Sequence, residues 1–337
     1  MKENFITRIP LRIYRRLRWE RGQQRTYART KKHYGREYAQ LCYQAEKAIY
    51  LGRPVNEILE RLKKRDAFII RSIEQQCSAV LQNAGQYQAD CDMRRSPDEP
   101  VWVFWWSGEA EAPEIVKACI RSIRRNANGH KVVVIDRNNL SEYVKLPDYI
   151  EEKHNSGKIG HAHYSDMIRL SLLAQYGGVW IDATVFISQP LPDILFESTF
   201  YTAKSVDKQA FYFSQSRWVG YFLAGSSAFP LFAFARDMLL EYWRNTDEIV
   251  SYLLMDYIFD IAYRTIPEVK AVMDRIPDNN LDRGILMSRI CEPYTKSLFD
   301  TLQNGSTFLS KLSWRYGNPV AATKSGEKTN YGHLLEL

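Results

Sequence analysis

The sequence predicts an α/β protein with a largely parallel sheet, and three observations carry that expectation. Short apolar, β-branched runs, "VWVFWW", "HKVVVID" and "VWIDATVFI", stand between segments of helical periodicity. Two of those segments, "APEIVKACIRSIRRNANG" and "HYSDMIRLSLLAQYGG", end on glycine, the residue that most readily stops a helix. Composition is globular, at 45% hydrophobic and 25% charged, without low-complexity tracts or short repeats, which sets aside disordered and solenoid classes.

From Met1 to about Ala89 the pattern is helical. "NFITRIPLRIYRRLRW" spaces Phe5, Ile9, Ile13 and Leu17 four apart among arginines, and "PVNEILERLKKRDAFIIRSIEQQCSAVLQ" is a second helix with Asn56 as its expected N-cap. "DMRRSPDEP" breaks the pattern, giving two expected domains, a basic helical segment at 1–95 and an α/β domain at 96–337. Within the second, "VWVFWWSG" is a strand, followed by a helix, the strand "HKVVVID", a loop and helix, the "HYSDMIRLSLLAQYGG" helix and the strand "VWIDATVFI". After Pro192 the chain becomes helical and aromatic-rich, with long helices in "FPLFAFARDMLLEYWRN" and "IVSYLLMDYIFDIAYRT".

Net charge is +7 but unevenly placed: residues 1–40 carry twelve Lys and Arg against three acids, while the remainder holds 34 bases and 36 acids. Such an N-terminus suits a helix packed on its own domain with a solvated arginine face, or a peripheral contact with an anionic membrane. No recognition motif accompanies the charge, so nucleic acid is not an expected partner. Five scattered cysteines show neither zinc-site spacing nor a disulfide framework. No apolar run of membrane-spanning length and no secretory signal is visible; the expected location is the cytoplasm, with the inner face of the plasma membrane as a peripheral surface.

Ligands of parallel sheets bind at the carboxyl ends of the strands. Trp106, Asp136 and Asp182 all lie at or near such ends. Asp182 is the awkward one, because a carboxylate in an apolar strand is costly to bury unless it is paired or coordinated. It either caps a neighbouring loop or serves a site. Read as one strand, "VWIDATVFI" directs Trp180, Asp182, Thr184 and Phe186 to one side. Asp166 and Arg169 share a helix face just before it, either as a surface ion pair or as part of the same cleft. Asp256, in "LLMDY", sits in an apolar helix, either paired with an arginine or placed to deprotonate a hydroxyl. His161 and His163 flank the cleft-facing helix as expected hydrogen-bonding residues, not ligands, and His333, in the tail, is a late metal-ligand candidate.

Together "HYSDMIRLSLLAQYGGVWIDATVF", "VFWWSGEAEAP", "VVVIDRNN", "YFLAGSSAFPLF", "YLLMDYIF" and "FLSKLSW" resemble the capsular polysaccharide synthesis proteins, relatives of glycosyltransferase family 32 and of the large glucosylating toxins. The resemblance spans roughly residues 100–315. It implies a GT-A (Rossmann-like, nucleotide-sugar-binding) fold. It also implies transfer of a sugar, with retention of configuration, from a nucleotide-sugar donor to a glycan or lipid-linked glycan acceptor in surface-polysaccharide synthesis. Trp106 then matches the tryptophan that stacks on the donor base, with Trp105 as the alternate, a contact worth ~1–3 kcal/mol. Asp166 and Arg169 match donor-sugar and phosphate contacts, Trp180 an aromatic beside the donor, and Asp182 the first carboxylate of an Asp-x-Asp pair and metal ligand.

Thr184 departs from that pattern, removing one negative charge from a site built for Mn²⁺ or Mg²⁺. A divalent cation is still expected, more weakly held. The alternative is that Arg169, Lys311 or Arg315 takes over leaving-group stabilisation. A non-catalytic domain that binds nucleotide sugar or scaffolds polysaccharide assembly is the competing function.

Overall fold

The computed structural model describes residues 11–88, 95–96, 98–205, 212–315 and 319–337. The break expected at 92–100 falls partly outside them, and the stripe Phe5, Ile9, Ile13 and Leu17 lies outside the residues whose side chains are described. The chain forms two compact units. Met1–Gln75, where described, joins Glu248–Tyr252 in one; Gln76–Asp247 and Leu253–Leu337 make the other.

The first unit is built on α1 (Leu11–Tyr50) and α2 (Val55–Gln76, whose last residue belongs to the second unit). Gly35 (φ 84°) breaks the helical backbone of α1, which lets Trp19 stack on Tyr50 with ring centroids 4.1 Å apart. Ala45, Ala48, Ile58 and Leu62 form its small core. Asn56 is not the N-cap of α2, contrary to expectation. The helix begins at Val55, two residues before an Asn56 cap would start it, because Pro54 supplies the carbonyl that Ile58 N–H bonds at 3.1 Å.

The second unit runs α3 (Ser78–Gln82), β1 (Val101–Phe104), α4 (Glu114–Arg125), β2 (Val132–Ile135), α5 (Asp148–Asn155), α6 (His161–Tyr176), β3 (Gly178–Ile181), β4 (Val185–Ile187), α7 (Ile194–Glu197), β5 (Phe200–Thr202) and β6 (Phe222–Gly225). It continues through α8 (Pro230–Asn245), α9 (Leu254–Thr265), α10 (Pro267–Arg275), α11 (Ile285–Ser288), α12 (Lys296–Asn304), β7 (Leu309–Lys311) and α13 (Asn330–Glu336). The main sheet has the order β2-β1-β3-β6-β5. β1 is parallel to both β2 and β3, whereas β6 and β5 are antiparallel additions. The parallel half is the part that the alternation of strands and helices announced.

Strand alternation sorts the two faces. Val101, Val103, Val179 and Ile181 enter one core with Val116, Ile120 and Ile123 of α4. Trp102 and Trp180 point the other way, where α6 lies: Trp102 Nε1–H bonds Gly177 O at 2.9 Å and Arg169 lies over Trp180. The glycines at the junction of α6 and β3 are required. Gly177 and Gly178 have φ of 66° and 99°, and a Cβ on Gly178 would come 2.3 Å from Pro100 O.

"VWIDATVFI" is not one strand. It is β3, a turn at 182–184 closed by Val185 N–H to Asp182 O at 2.9 Å, and then β4, which pairs with β7 in a separate two-stranded sheet. Apolar period-2 patterning continues through the turn, but the hydrogen-bond partners change: β3 pairs with β1 and β6, β4 with a strand more than a hundred residues downstream. Asp182 and Thr184 therefore meet through a turn, not through strand alternation.

Candidate functional site

The parallel strands β2, β1 and β3 end on the same edge, delivering Asp136, Trp105–Trp106 and Asp182 there. β6 contributes from the opposite direction, since Tyr221, just before it, accepts the Asp182 N–H at 2.9 Å. α6, lying behind, brings Asp166 and Arg169 to the end of β3.

Asp182 is the hub. Its Oδ1 accepts from Arg169 Nη2 and Trp180 Nε1, each at 2.9 Å, and its Oδ2 from Lys311 Nζ at 3.2 Å. Burial alone would raise its pKa; Lys311 and Arg169, with the hydrogen bonds from Trp180 and Lys311, outweigh burial and hold the carboxyl below the usual range. Arg169 is committed within the network. Nη1 bonds Asp166 Oδ1 at 2.8 Å and Met255 Sδ at 3.4 Å, its guanidinium lies 4.8 Å from the Trp180 ring centre, and its side chain is only 7% exposed. Gly220 keeps that space open, because a Cβ there would sit 2.3 Å from Met255 Cε and 3.2 Å from Arg169 Nη1. Arg169 thus orients two carboxylates from a buried position.

Thr184 Oγ1 accepts from Lys311 Nζ at 2.6 Å, so one ammonium spans the turn. Lys311 is positioned by the β4–β7 ladder, opposite Val185, and by Leu312 N–H to Thr184 O at 2.9 Å. Its Nζ also lies 5.0 Å from the Tyr221 ring centre.

Asp256 approaches from the first turn of α9. Trp218 Nε1 donates to its Oδ1 at 2.9 Å, yet no cation bonds it directly among the described residues. Burial pushes its pKa up to about 6, opposed by the Trp218 hydrogen bond, reinforced by Asp166 and opposed again by Arg169 and Arg217. Met255, its neighbour, touches Arg169, which ties the α9 acid to the same cluster.

Trp106 is surrounded by other rings. His154 and Tyr164 meet it edge-on at 5.0 and 5.7 Å between ring centres, and His161 is tilted against it at 5.7 Å. His154 stacks on Tyr164 at 3.8 Å and bonds His161 through Nε2···Nδ1 at 3.0 Å; burial, with His161 beside it, lowers its pKa. Trp105 faces elsewhere, edge-on to Trp314 at 5.7 Å. Asp136 is occupied with its own loop, its Oδ1 accepting from Asn138 N–H at 2.7 Å while Oδ2 closes the space beside Gly108. His163 is buried beside Asp166, with Nδ1 3.7 Å from Asp166 Oδ2, and His333 packs on Tyr294 and Phe299, away from this edge. Arg315 lies over Trp314.

The structure thus brings Asp166, Arg169, Trp180, Asp182 and Thr184 into one network with Lys311, sets Asp256 beside it, and places Trp106 at the neighbouring strand end. Trp218, Tyr221 and Tyr164 join the site without having been candidates from the sequence: Trp218 and Tyr221 stand beside apolar strand residues and read as core, and Tyr164 sits among polar residues of a helix start.

In an α/β sheet the carboxyl edge of the parallel strands is where ligands bind, and the charged cluster stands at that edge. Residues 53–334 match the capsular polysaccharide synthesis protein family, and the chain belongs to that family. Over 106 residues it is 34% identical to the O-glycosyltransferase braB of Annulohypoxylon truncatum, covering 29% of this chain and 25% of that protein. Over 100 residues it is 32% identical to the glycosyltransferase afumC of Aspergillus fumigatus (strain CBS 144.89 / FGSC A1163 / CEA10), covering 27% and 26%. Over 106 residues it is 27% identical to the O-glycosyltransferase PaGT of Phomopsis amygdali, covering 29% and 26%. The matches span about a quarter of each of these relatives. No solved structure matches the chain.

Proposed function

We propose that the chain is a glycosyltransferase of GT-A type that moves a sugar from a nucleotide-sugar donor to a hydroxyl of a glycan, lipid-linked in surface-polysaccharide synthesis. The observation that carries this reading is the Asp182 hub at the carboxyl edge of the parallel strands, with an aromatic platform, Trp106, one strand away. Family membership and relatives named O-glycosyltransferases support the same chemistry. Trp106 takes the base. Asp182, held ionised and oriented by Arg169 and Trp180, faces the ribose and donor sugar, with Asp166 behind it. Asp256 takes the proton of the acceptor hydroxyl, a task for which a carboxyl titrating at about 6 is suited near neutral pH. Retention of configuration remains the stereochemical expectation from family likeness.

The exposed arginines of α1, among them Arg16, Arg18, Arg21 and Arg25, suit an anionic bilayer surface at the cytoplasmic face, where a lipid-linked acceptor resides. Among the described residues no helix is long and apolar enough to cross a membrane.

A panel of nucleotide sugars, read by donor hydrolysis and by thermal stabilisation, tests the transferase reading. One donor is expected to stabilise and turn over, with Asp182→Ala abolishing both. Binding without release of sugar under any condition would favour the non-catalytic scaffold, and an unchanged Asp182→Ala variant would show that the site is misplaced.

A further inference from the structure

The Asp182–Thr184 turn raises the question of which cation the site holds. A hard divalent ion takes about six oxygen ligands and draws on carboxylates for charge. Here the turn offers one carboxylate and one hydroxyl, and both already bond the Lys311 ammonium, at 3.2 and 2.6 Å. Among the described residues no group of three His, Cys, Asp or Glu is arranged to bind a metal. A second positive ion placed between Asp182 and Thr184 would meet that ammonium head-on. The donor set does not fit Mn²⁺ or Mg²⁺.

We propose that Lys311 is the resident cation of this site, bridging Asp182 and Thr184 and presenting its charge to the donor diphosphate. This rests on the transferase reading and deepens it. Charge balance favours it. Two carboxylates around a divalent ion sum to zero, and so do one carboxylate, one threonine hydroxyl and one ammonium. The Asp-to-Thr departure at position 184 and the lysine at position 311 are then a single change in two parts, made adjacent by the pairing of Val185 with Lys311.

The geometry separates this lysine from its neighbour Arg169. Arg169 is 7% exposed and spends its guanidinium on Asp166 and Asp182. Lys311 is 32% exposed, and its ammonium carries three donors. Two go to Asp182 and Thr184, and the third has no acceptor among the described residues. Backbone bonds on both sides fix its base, with Lys311 N–H to Arg283 O at 2.8 Å and Leu312 N–H to Thr184 O at 2.9 Å. In the transfer step the bond from the anomeric carbon to the diphosphate oxygen breaks, with its electron pair going to the diphosphate. The acceptor oxygen bonds the anomeric carbon, and its proton passes to Asp256. Charge grows on the diphosphate, and a pre-placed ammonium stabilises it without reorganisation.

The test uses the full chain, with a panel of uridine, guanosine, adenosine and cytidine diphosphates for binding and the matching nucleotide sugars for turnover. Each is measured in EDTA and again with Mn²⁺. The wild-type protein is expected to bind and turn over equally in both. Lys311→Met should weaken diphosphate binding about 10- to 100-fold and turnover on the order of 10²–10³-fold, whether Mn²⁺ is present or not. Lys311→Arg, which keeps the charge, should retain part of both and guards against a misfolded Met variant. The double variant Thr184→Asp/Lys311→Ala rebuilds a two-carboxylate site and should regain binding in Mn²⁺ but not in EDTA. A wild-type protein that needs Mn²⁺, a Lys311→Met variant that matches it, or a double variant indifferent to Mn²⁺ would overturn the proposal while leaving the transferase reading intact. Failure of every diphosphate to bind under either condition would overturn both.

Discussion

Two Trp–Arg–Asp clusters stand side by side in the second unit, built from the same residue types and wired differently. In one, Arg169 lies over Trp180 at 4.8 Å, and both donate to Asp182. In the other, Arg217 lies over Trp218 at 4.4 Å, but their donors diverge: Trp218 bonds Asp256 at 2.9 Å, while Arg217 bonds Asp260, one turn along α9, at 2.8 Å. Asp260 also takes Arg264 at 2.8 Å, so the second cluster's cations neutralise the acid that the tryptophan does not touch. The consequence is electrostatic. Asp182, given two cations and an indole, is held ionised, whereas Asp256, given only an indole, is left to burial and rises to about 6. One wiring makes a fixed negative anchor, and the other a carboxyl that exchanges a proton near neutral pH.

The largest effect should come from breaking the anchor. Asp182→Asn leaves Lys311 without its anion and removes one of the two carboxylates from Arg169. Turnover should fall on the order of 10²–10³-fold. Stability should fall by about 2–3 kcal/mol, below the ~3–5 kcal/mol of a fully buried pair because Asp182 keeps 27% exposure. Paired turnover and thermal melts check both. Unchanged melting would mean that the network contributes little to the fold.

Asp256→Asn should act more narrowly. Trp218 keeps an oxygen acceptor, so the fold is retained, while turnover drops roughly 100-fold with loss of the base. In the wild type, activity should rise with pH through about 6 and then level off, because the base must be ionised. The sign for stability is opposite. The native state holds this proton more tightly than the unfolded chain, so stability falls as pH rises from about 4 to about 6, and the cost is full above that. Asp256→Asn should therefore melt higher relative to wild type at pH 8 than at pH 4. A wild-type profile flat between pH 5 and 7 would remove Asp256 from the mechanism.

The difference between the clusters also marks how far the sequence could be read. The anchor was largely legible because its parts are local: Asp166 and Arg169 share a helix turn, and the Gly-Gly break delivers Asp182 a few residues later. Lys311 could be named only as one of several bases, since its approach depends on a ladder between segments more than a hundred residues apart. The same ladder is why "VWIDATVFI" read as one strand: nothing local reveals that hydrogen-bond partners change at Asp182. The second cluster was half legible. Asp256 stood out as an acid in an apolar helix, and its pairing with an arginine was the bland alternative. The arginine is present but goes to Asp260, a choice that only three-dimensional packing makes. β6 and β5, which complete the sheet, carry short apolar runs that pattern alone does not distinguish from helix.

The finest test of the comparison exchanges only the indole donors. Trp218→Phe keeps a ring against Phe259 and Arg217 but removes the hydrogen bond that holds Asp256 down. With burial then less opposed, the acid limb of the pH–activity profile should move upward, by about one unit or less. Trp180→Phe removes the equivalent donor from Asp182. There two cations remain, so the acid limb should stay where it is, and the change should appear as a stability loss of about 0.5–1.5 kcal/mol. The two substitutions are chemically identical. Different responses follow only if the wiring of each carboxylate, and not the tryptophan itself, decides which one titrates; equal shifts of the limb would show that the clusters behave as one coupled group.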